Sequence, residues 1–109
     1  MKKLIIISIA LSALTAWTAR AADAKTTYEA QCAKCHGKDG KGDTKMGQKM
    51  GAKDYSSAKV QGEMKDEAAF KAIKEGLKDK DDKVLMKPTE GVSDQEIKDL
   101  VAYMRSFKK

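Results

Sequence analysis

Cys32-Ala33-Lys34-Cys35-His36 is the segment of this chain whose residue types and spacing can do chemistry. Two thiols three positions apart lie on one helical turn, and the imidazole of the next residue follows at once. Thiols so placed can add to the two vinyl groups along one edge of a porphyrin, which leaves the imidazole directed at the iron from the proximal side. This is the spacing of c-type haem attachment. His36 is the only histidine, so it has no competitor as proximal ligand, and a second imidazole from the same chain is excluded. Three other chemistries use a C-x-x-C pair. A thioredoxin-like dithiol needs a βαβ pattern, which this chain lacks. A zinc site wants four ligands, and the two Cys and one His here would need carboxylates to complete it. A disulfide across one helical turn closes a tiny loop and adds little stability.

Iron held by His36 needs a sixth ligand. Methionine thioether is the soft donor that raises a reduction potential relative to harder ones. Five methionines remain besides Met1. Met104 falls on the apolar stripe of a helix, where packing is its expected work, and Met64 lies just before another helix as a local plug. Met46 and Met50 follow close behind His36, in a stretch that must wrap a haem edge before reaching its far face. Met86 lies between two helices, 50 residues after His36, with Pro88 stiffening the chain behind it. Methionine is more often core filler than ligand. Position in a loop, rather than residue type, therefore favours Met86 over the other four.

The elements that must position these groups are helical. Thr26-Thr27-Tyr28-Glu29 fits a capping box, which predicts a short helix over 27–35. Six of the eight glycines fall between Gly37 and Gly62, so that stretch reads as loop with at most short helical turns. A second helix is expected over 67–75, with Asp66 as N-cap, Gly76 as stop and Ala69, Phe70 and Ile73 as its apolar stripe. Residues 77–92 read as a charged loop. Ser93-Asp94-Gln95-Glu96 is a second capping box, after which Ile97, Leu100, Val101, Met104 and Phe107 line one face of a helix. Lys108 and Lys109 suit the negative end of its dipole. No strand pattern competes, so the expected class is all-α with long loops.

Length and composition narrow the reading. The chain has 109 residues, 22 Lys+Arg against 16 Asp+Glu, a net charge of +6 and one Pro. Several domains, collagen-like repeats and a disulfide-dense scaffold are thereby excluded. Residues 1–21 read as a secretory signal peptide: a basic start at Lys2 and Lys3, an apolar run from Leu4 to Leu14, and a small-x-small site at Ala19-Arg20-Ala21. The apolar run is too short for a membrane span, which takes about 20 residues, so no stable membrane anchor is expected. Cleavage would leave a domain over 22–109 carrying 19 − 16 = +3, in an oxidising periplasm where two free thiols need an explanation. Phe70, Phe107 and three tyrosines are then its only large rings beyond Trp17, which lies in the signal. So thin a core points to a bound apolar cofactor.

Together these residues resemble a class I c-type cytochrome, the small monohaem kind of bacterial periplasms. The resemblance covers 24–109. It rests on Tyr28 four positions before the first cysteine, Cys32–His36, Gly37, the Asp39-Gly40-Lys41-Gly42 turn, Met86, and the Ser93–Phe107 helix with Tyr103. It implies a cytochrome c fold, with three main helices and long loops around one covalently bound haem c. It implies thioethers at Cys32 and Cys35, axial His36 and Met86, and first and last helices that cross with Tyr28 and Ala30 near Leu100, Tyr103 and Met104. Two departures stand out. Lys87 intervenes between Met86 and Pro88, and no proline between Gly37 and Gly62 supplies the carbonyl that would orient His36.

The expected function is one-electron carriage by a monomeric shuttle that is not an enzyme. It would meet redox partners with acidic docking faces through six lysines and two aspartates between Lys34 and Lys53, a local +4. Nucleic acid is not expected as a partner. The rival readings are a five-coordinate haem protein that binds a small ligand or peroxide, and a haem subunit of a larger oxidoreductase.

Overall fold

The computed structural model describes residues 19–109; of the expected signal peptide, residues 1–18 lie outside this range. Helix α1 covers 19–31 and is followed, after a single turn residue at Cys32, by α2 (Ala33–His36). α1 starts earlier than the Thr26 capping box predicts. Thr26 lies inside the helix and its hydroxyl donates to the Ala22 carbonyl at 3.1 Å. Residues 19–25 are rich in alanine, and that intrinsic preference carries the helix through the capping signal. The expected single helix up to Cys35 is broken at Cys32, although the Cys32 amide still bonds the Tyr28 carbonyl at 2.8 Å.

The glycine-rich stretch holds two short helices, α3 (Lys45–Met50) and α4 (Ala58–Glu63), capped by Thr44 and Ser57. α5 spans Asp66–Glu75 and stops at Gly76. Asp66, expected as its cap, is its first helical residue, and its carboxylate is taken by Arg105 at 2.7 Å. α6 runs Asp94–Arg105 behind the predicted Ser93–Glu96 capping box. α5 and α6 pack antiparallel, tied at opposite ends by Lys74–Asp94 and Asp66–Arg105.

The segment expected as a loop folds into a small antiparallel pair, β1 (Leu77–Lys78) and β2 (Val84–Met86), with Leu77 opposite Met86. The Asp79 carboxylate closes the turn by accepting from the amides of Asp81 and Lys83 at 2.8 and 3.0 Å. Strands of two and three residues are too short to write an alternating pattern, so they left no signal. The architecture is nonetheless helical, with the class expected.

The core is Tyr28, Cys32, Ala69, Ile73, Ile97, Leu100, Val101 and Met104. Tyr28 is fully buried against the far end of α6, its ring centroid 5.2 Å from Tyr103 and 5.1 Å from Phe107. The first and last helices thus meet as expected, except that Ala30 stays exposed. Such ring pairs add about 0.5–1.5 kcal/mol each beyond area burial, a large share for a small domain. Phe107 lies past the end of α6 yet keeps its place on the stripe.

Candidate functional site

Cys32, Cys35 and His36 come together on one turn because α1 delivers Cys32 into the core and α2 carries the other two around it. Cys32 is buried and Cys35 half-buried, and both thiols are free. Burial, reinforced by the charge Cys35 would carry, pushes the Cys32 thiol up to about 11. Burial also lowers the His36 pKa, which keeps the imidazole neutral and able to offer a lone pair to a metal. The His36 Nδ1 is buried without a hydrogen-bond partner among the described residues. The Tyr55 ring stands 5.5 Å from the His36 ring, tilted by 47°.

α2 is held from three sides. The Thr44 hydroxyl lies 2.8 Å from the carbonyl oxygens of both Lys34 and Cys35 and accepts from the Gly47 amide at 2.9 Å. A side chain at Gly47 would run into the Cys35 carbonyl oxygen, so only glycine lets α3 lie this close to α2. The Gly42 amide donates to the His36 carbonyl at 2.8 Å. The Gly37 carbonyl, one residue past His36, accepts from the Tyr28 hydroxyl at 2.6 Å and the Gly40 amide at 3.2 Å. Both of its lone pairs are engaged there.

The methionines separate by position. Met104 is buried in α6, as its stripe predicts, and Met64 packs half-buried on the core. Met46 and Met50 lie half-buried on α3, Met46 beside a cleft of about 410 Å³ that it shares with Lys34, Thr44, Lys45 and Lys49. Met86 sits in β2 rather than in an open loop, half-buried and packed on the same core that holds Cys32. A larger groove, about 640 Å³, lies between α5 and α6, lined by Phe70, Lys98, Val101 and Arg105 among others.

Two residues near the site escaped the sequence reading. Tyr55, beside His36, stands in a glycine-rich stretch with no periodicity to mark it. Gln61 is 4% exposed and donates to the carbonyls of Tyr55 and Met104 at 2.7 and 2.9 Å. A polar residue inside a six-residue helix gives no hint of burial.

A mainly helical domain with two free thiols three apart and a neutral, half-buried imidazole next to them has the donor set for a thioether-linked haem. The zinc and thioredoxin-like readings find no further partners beside it. The two thiols are unpaired, and among the described residues no group of three or more His, Cys, Asp or Glu side chains comes together to hold a metal ion. No βαβ unit accompanies the pair; the only sheet among the described residues is two-stranded and antiparallel.

Comparison with known proteins agrees. The cytochrome c family profile matches residues 21–108, and the chain belongs to that family. A solved structure of KustC0563 c-type cytochrome is similar to it at 34% identity, over 78% of this chain and 96% of that one, with a TM-score of 0.67. A search of curated proteins returns no significant match. Membership of the family brings covalently attached haem c with it.

Proposed function

We propose that this protein is an exported one-electron carrier, with haem bonded through thioethers to Cys32 and Cys35 and its iron held between His36 and Met86. The observation that carries the reading is the Cys32–His36 turn, where two free thiols adjoin the only imidazole of the chain. Bound there, haem iron supplies reversible Fe(III)/Fe(II) exchange. The protein's own groups set the terms of that exchange. Burial keeps His36 neutral, so it ligates without first losing a proton. Met86 offers a neutral, soft sulfur that favours the reduced state over harder donors. Its strand is seated against Gly76 at the end of α5. His36 and Met86 would together hold the iron and leave it no open position for a substrate, which favours the role of a shuttle over that of an enzyme.

The charge distribution supports transient docking. Lys34, Lys38, Lys45, Lys49 and Lys53 are exposed on α2, α3 and their connections, around the turn that carries Cys35 and His36. Such a surface steers encounters with acidic faces of redox partners. The basic start, apolar run and Ala19-Arg20-Ala21 site support export to the periplasm. Among the described residues no helix is long and apolar enough to cross a membrane.

The test is an absorption and redox titration of protein matured with haem-attachment machinery in a periplasm. The mass should rise by one haem, and the ferric spectrum should be low-spin with a methionine–iron charge-transfer band. Met86→Ala should abolish that band and lower the potential, while Met64→Ala should lower stability and keep it. A high-spin ferric wild type would replace this reading with a five-coordinate haem that takes a small ligand or peroxide. A band that survives Met86→Ala would move the sixth ligand elsewhere.

A further inference from the structure

We propose that Gln61 is a positioning residue for the iron ligand: it fixes the backbone of Tyr55 so that the Tyr55 ring walls the His36 imidazole off from water. The proposal rests on the reading above, that His36 holds haem iron.

The peptide groups on both sides of Tyr55 are held. Its amide donates to the Gly40 carbonyl at 2.7 Å, and its carbonyl accepts from the Gln61 Nε2 at 2.7 Å. The same Nε2 donates to the Met104 carbonyl at 2.9 Å, which ties Tyr55 to the C-terminal end of α6. The Gln61 Oε1 accepts from the Arg105 Nη1 at 3.1 Å, so the side-chain amide is satisfied at both ends. Arg105 locks the arrangement further. Its Nη1 donates to the Gln61 carbonyl and its Nη2 to the Met64 carbonyl, each at 2.6 Å, while Asp66 accepts from Nε and Nη2 at 3.0 and 2.7 Å. A buried polar side chain with all its partners in place rigidifies what it joins, and loosens it when one is lost.

What this rigidity holds in place is the half-buried Tyr55 ring, 5.5 Å from the His36 ring. An iron centre carries one more positive charge when oxidised. Water near its ligand stabilises the oxidised form and lowers the potential, and an apolar wall opposes this. The ring does this work, not its hydroxyl.

Gln61→Met keeps the length of the side chain and removes its donors. In the haem-loaded protein it is expected to lower the midpoint potential and to shift the paramagnetic NMR signals of the haem methyls, which report the orientation of the imidazole. Tyr55→Ala is expected to lower the potential in the same way, and Tyr55→Phe to retain the wild-type value. The double variant Gln61→Met/Tyr55→Ala should fall no further than Tyr55→Ala alone. A Gln61→Met protein with a lower Tm but unchanged potential and methyl shifts would overturn the proposal and leave Gln61 a purely structural residue. If Gln61→Met does not accumulate, the Tyr55 pair decides: an unchanged potential in Tyr55→Ala overturns the proposal as well. A wild-type protein that carries no haem would overturn the carrier reading itself, before any variant is compared.

Discussion

The Tyr28 hydroxyl donates its 2.6 Å hydrogen bond to the Gly37 carbonyl in a fully buried setting, one residue past His36. Tyr28→Phe removes the bond but leaves the ring cluster with Tyr103 and Phe107, and Gly37 keeps its bond from Gly40. The expected cost is about 1–2 kcal/mol, read from urea unfolding. The pH dependence follows from the same burial, which pushes the Tyr28 phenol far above its ordinary value near 10. A group raised in the folded state contributes its full stability below the unfolded value and loses it as pH climbs. Wild-type stability should therefore fall above about pH 10, and fall less steeply in Tyr28→Phe. Tyr55, raised by its own burial, keeps some slope in both. Gly47 poses the opposite choice. Alanine would help its helix by about 1 kcal/mol, but overpacking costs about 1–3 kcal/mol, and the blocking atom is the backbone oxygen of Cys35, which cannot swing away. The steric effect should win, so Gly47→Ala is expected to lower the urea midpoint and the yield of haem-loaded protein.

Among the elements, the junction of α5 with β2 is the one that positions Met86, the proposed ligand. Gly76 ends α5 at φ 81° and ψ 179°, a region essentially reserved for glycine. A side chain there would meet the Met86 carbonyl at 2.5 Å and the Pro88 nitrogen at 3.0 Å. Gly76→Ala should cost about 1–3 kcal/mol in backbone strain. It should also displace β2, and so weaken the methionine–iron band without touching Met86 itself. Lys87, which separates Met86 from Pro88, is accommodated because Met86 ends a strand and Pro88 packs beyond it against Gly76. By contrast the Lys74–Asp94 pair, at 3.0 Å between exposed side chains, is worth little. α6 owes its start to the Ser93–Glu96 box and its place to Ile97, Leu100, Val101 and Met104.

For the molecule as a whole, the proposed docking rests on charge. The chain carries +6, which the proposed cleavage after residue 21 would reduce to 19 − 16 = +3, with a local +4 concentrated between Lys34 and Lys53. Exposed charges are screened beyond about 10 Å at 0.1 M salt. Electron exchange with an acidic partner should therefore slow as salt rises. Lys45→Glu with Lys49→Glu takes the local balance from +4 to 0. It should slow exchange at low salt by on the order of 10-fold and flatten the salt dependence, as stopped-flow kinetics would read. The redox potential should hardly change, because these side chains lie in water.

The Cys32–His36 motif, the capping of α6 and its buried stripe are all legible in the order of residues. Each is a local pattern: a ligand spacing within one helical turn, a cap four residues long, a 3.6-residue period. Thr26–Glu29 shows the limit of such signals, since a local cap lost to the helix preference of the residues before it. The hairpin around Asp79 was too short to leave a period. Tyr55 beside His36, Gln61 under α6, Gly47 against Cys35 and Gly76 against Met86 join positions remote in the chain. Their pairing is fixed by packing, where one atom excludes or satisfies another, and no spacing along the polypeptide encodes that.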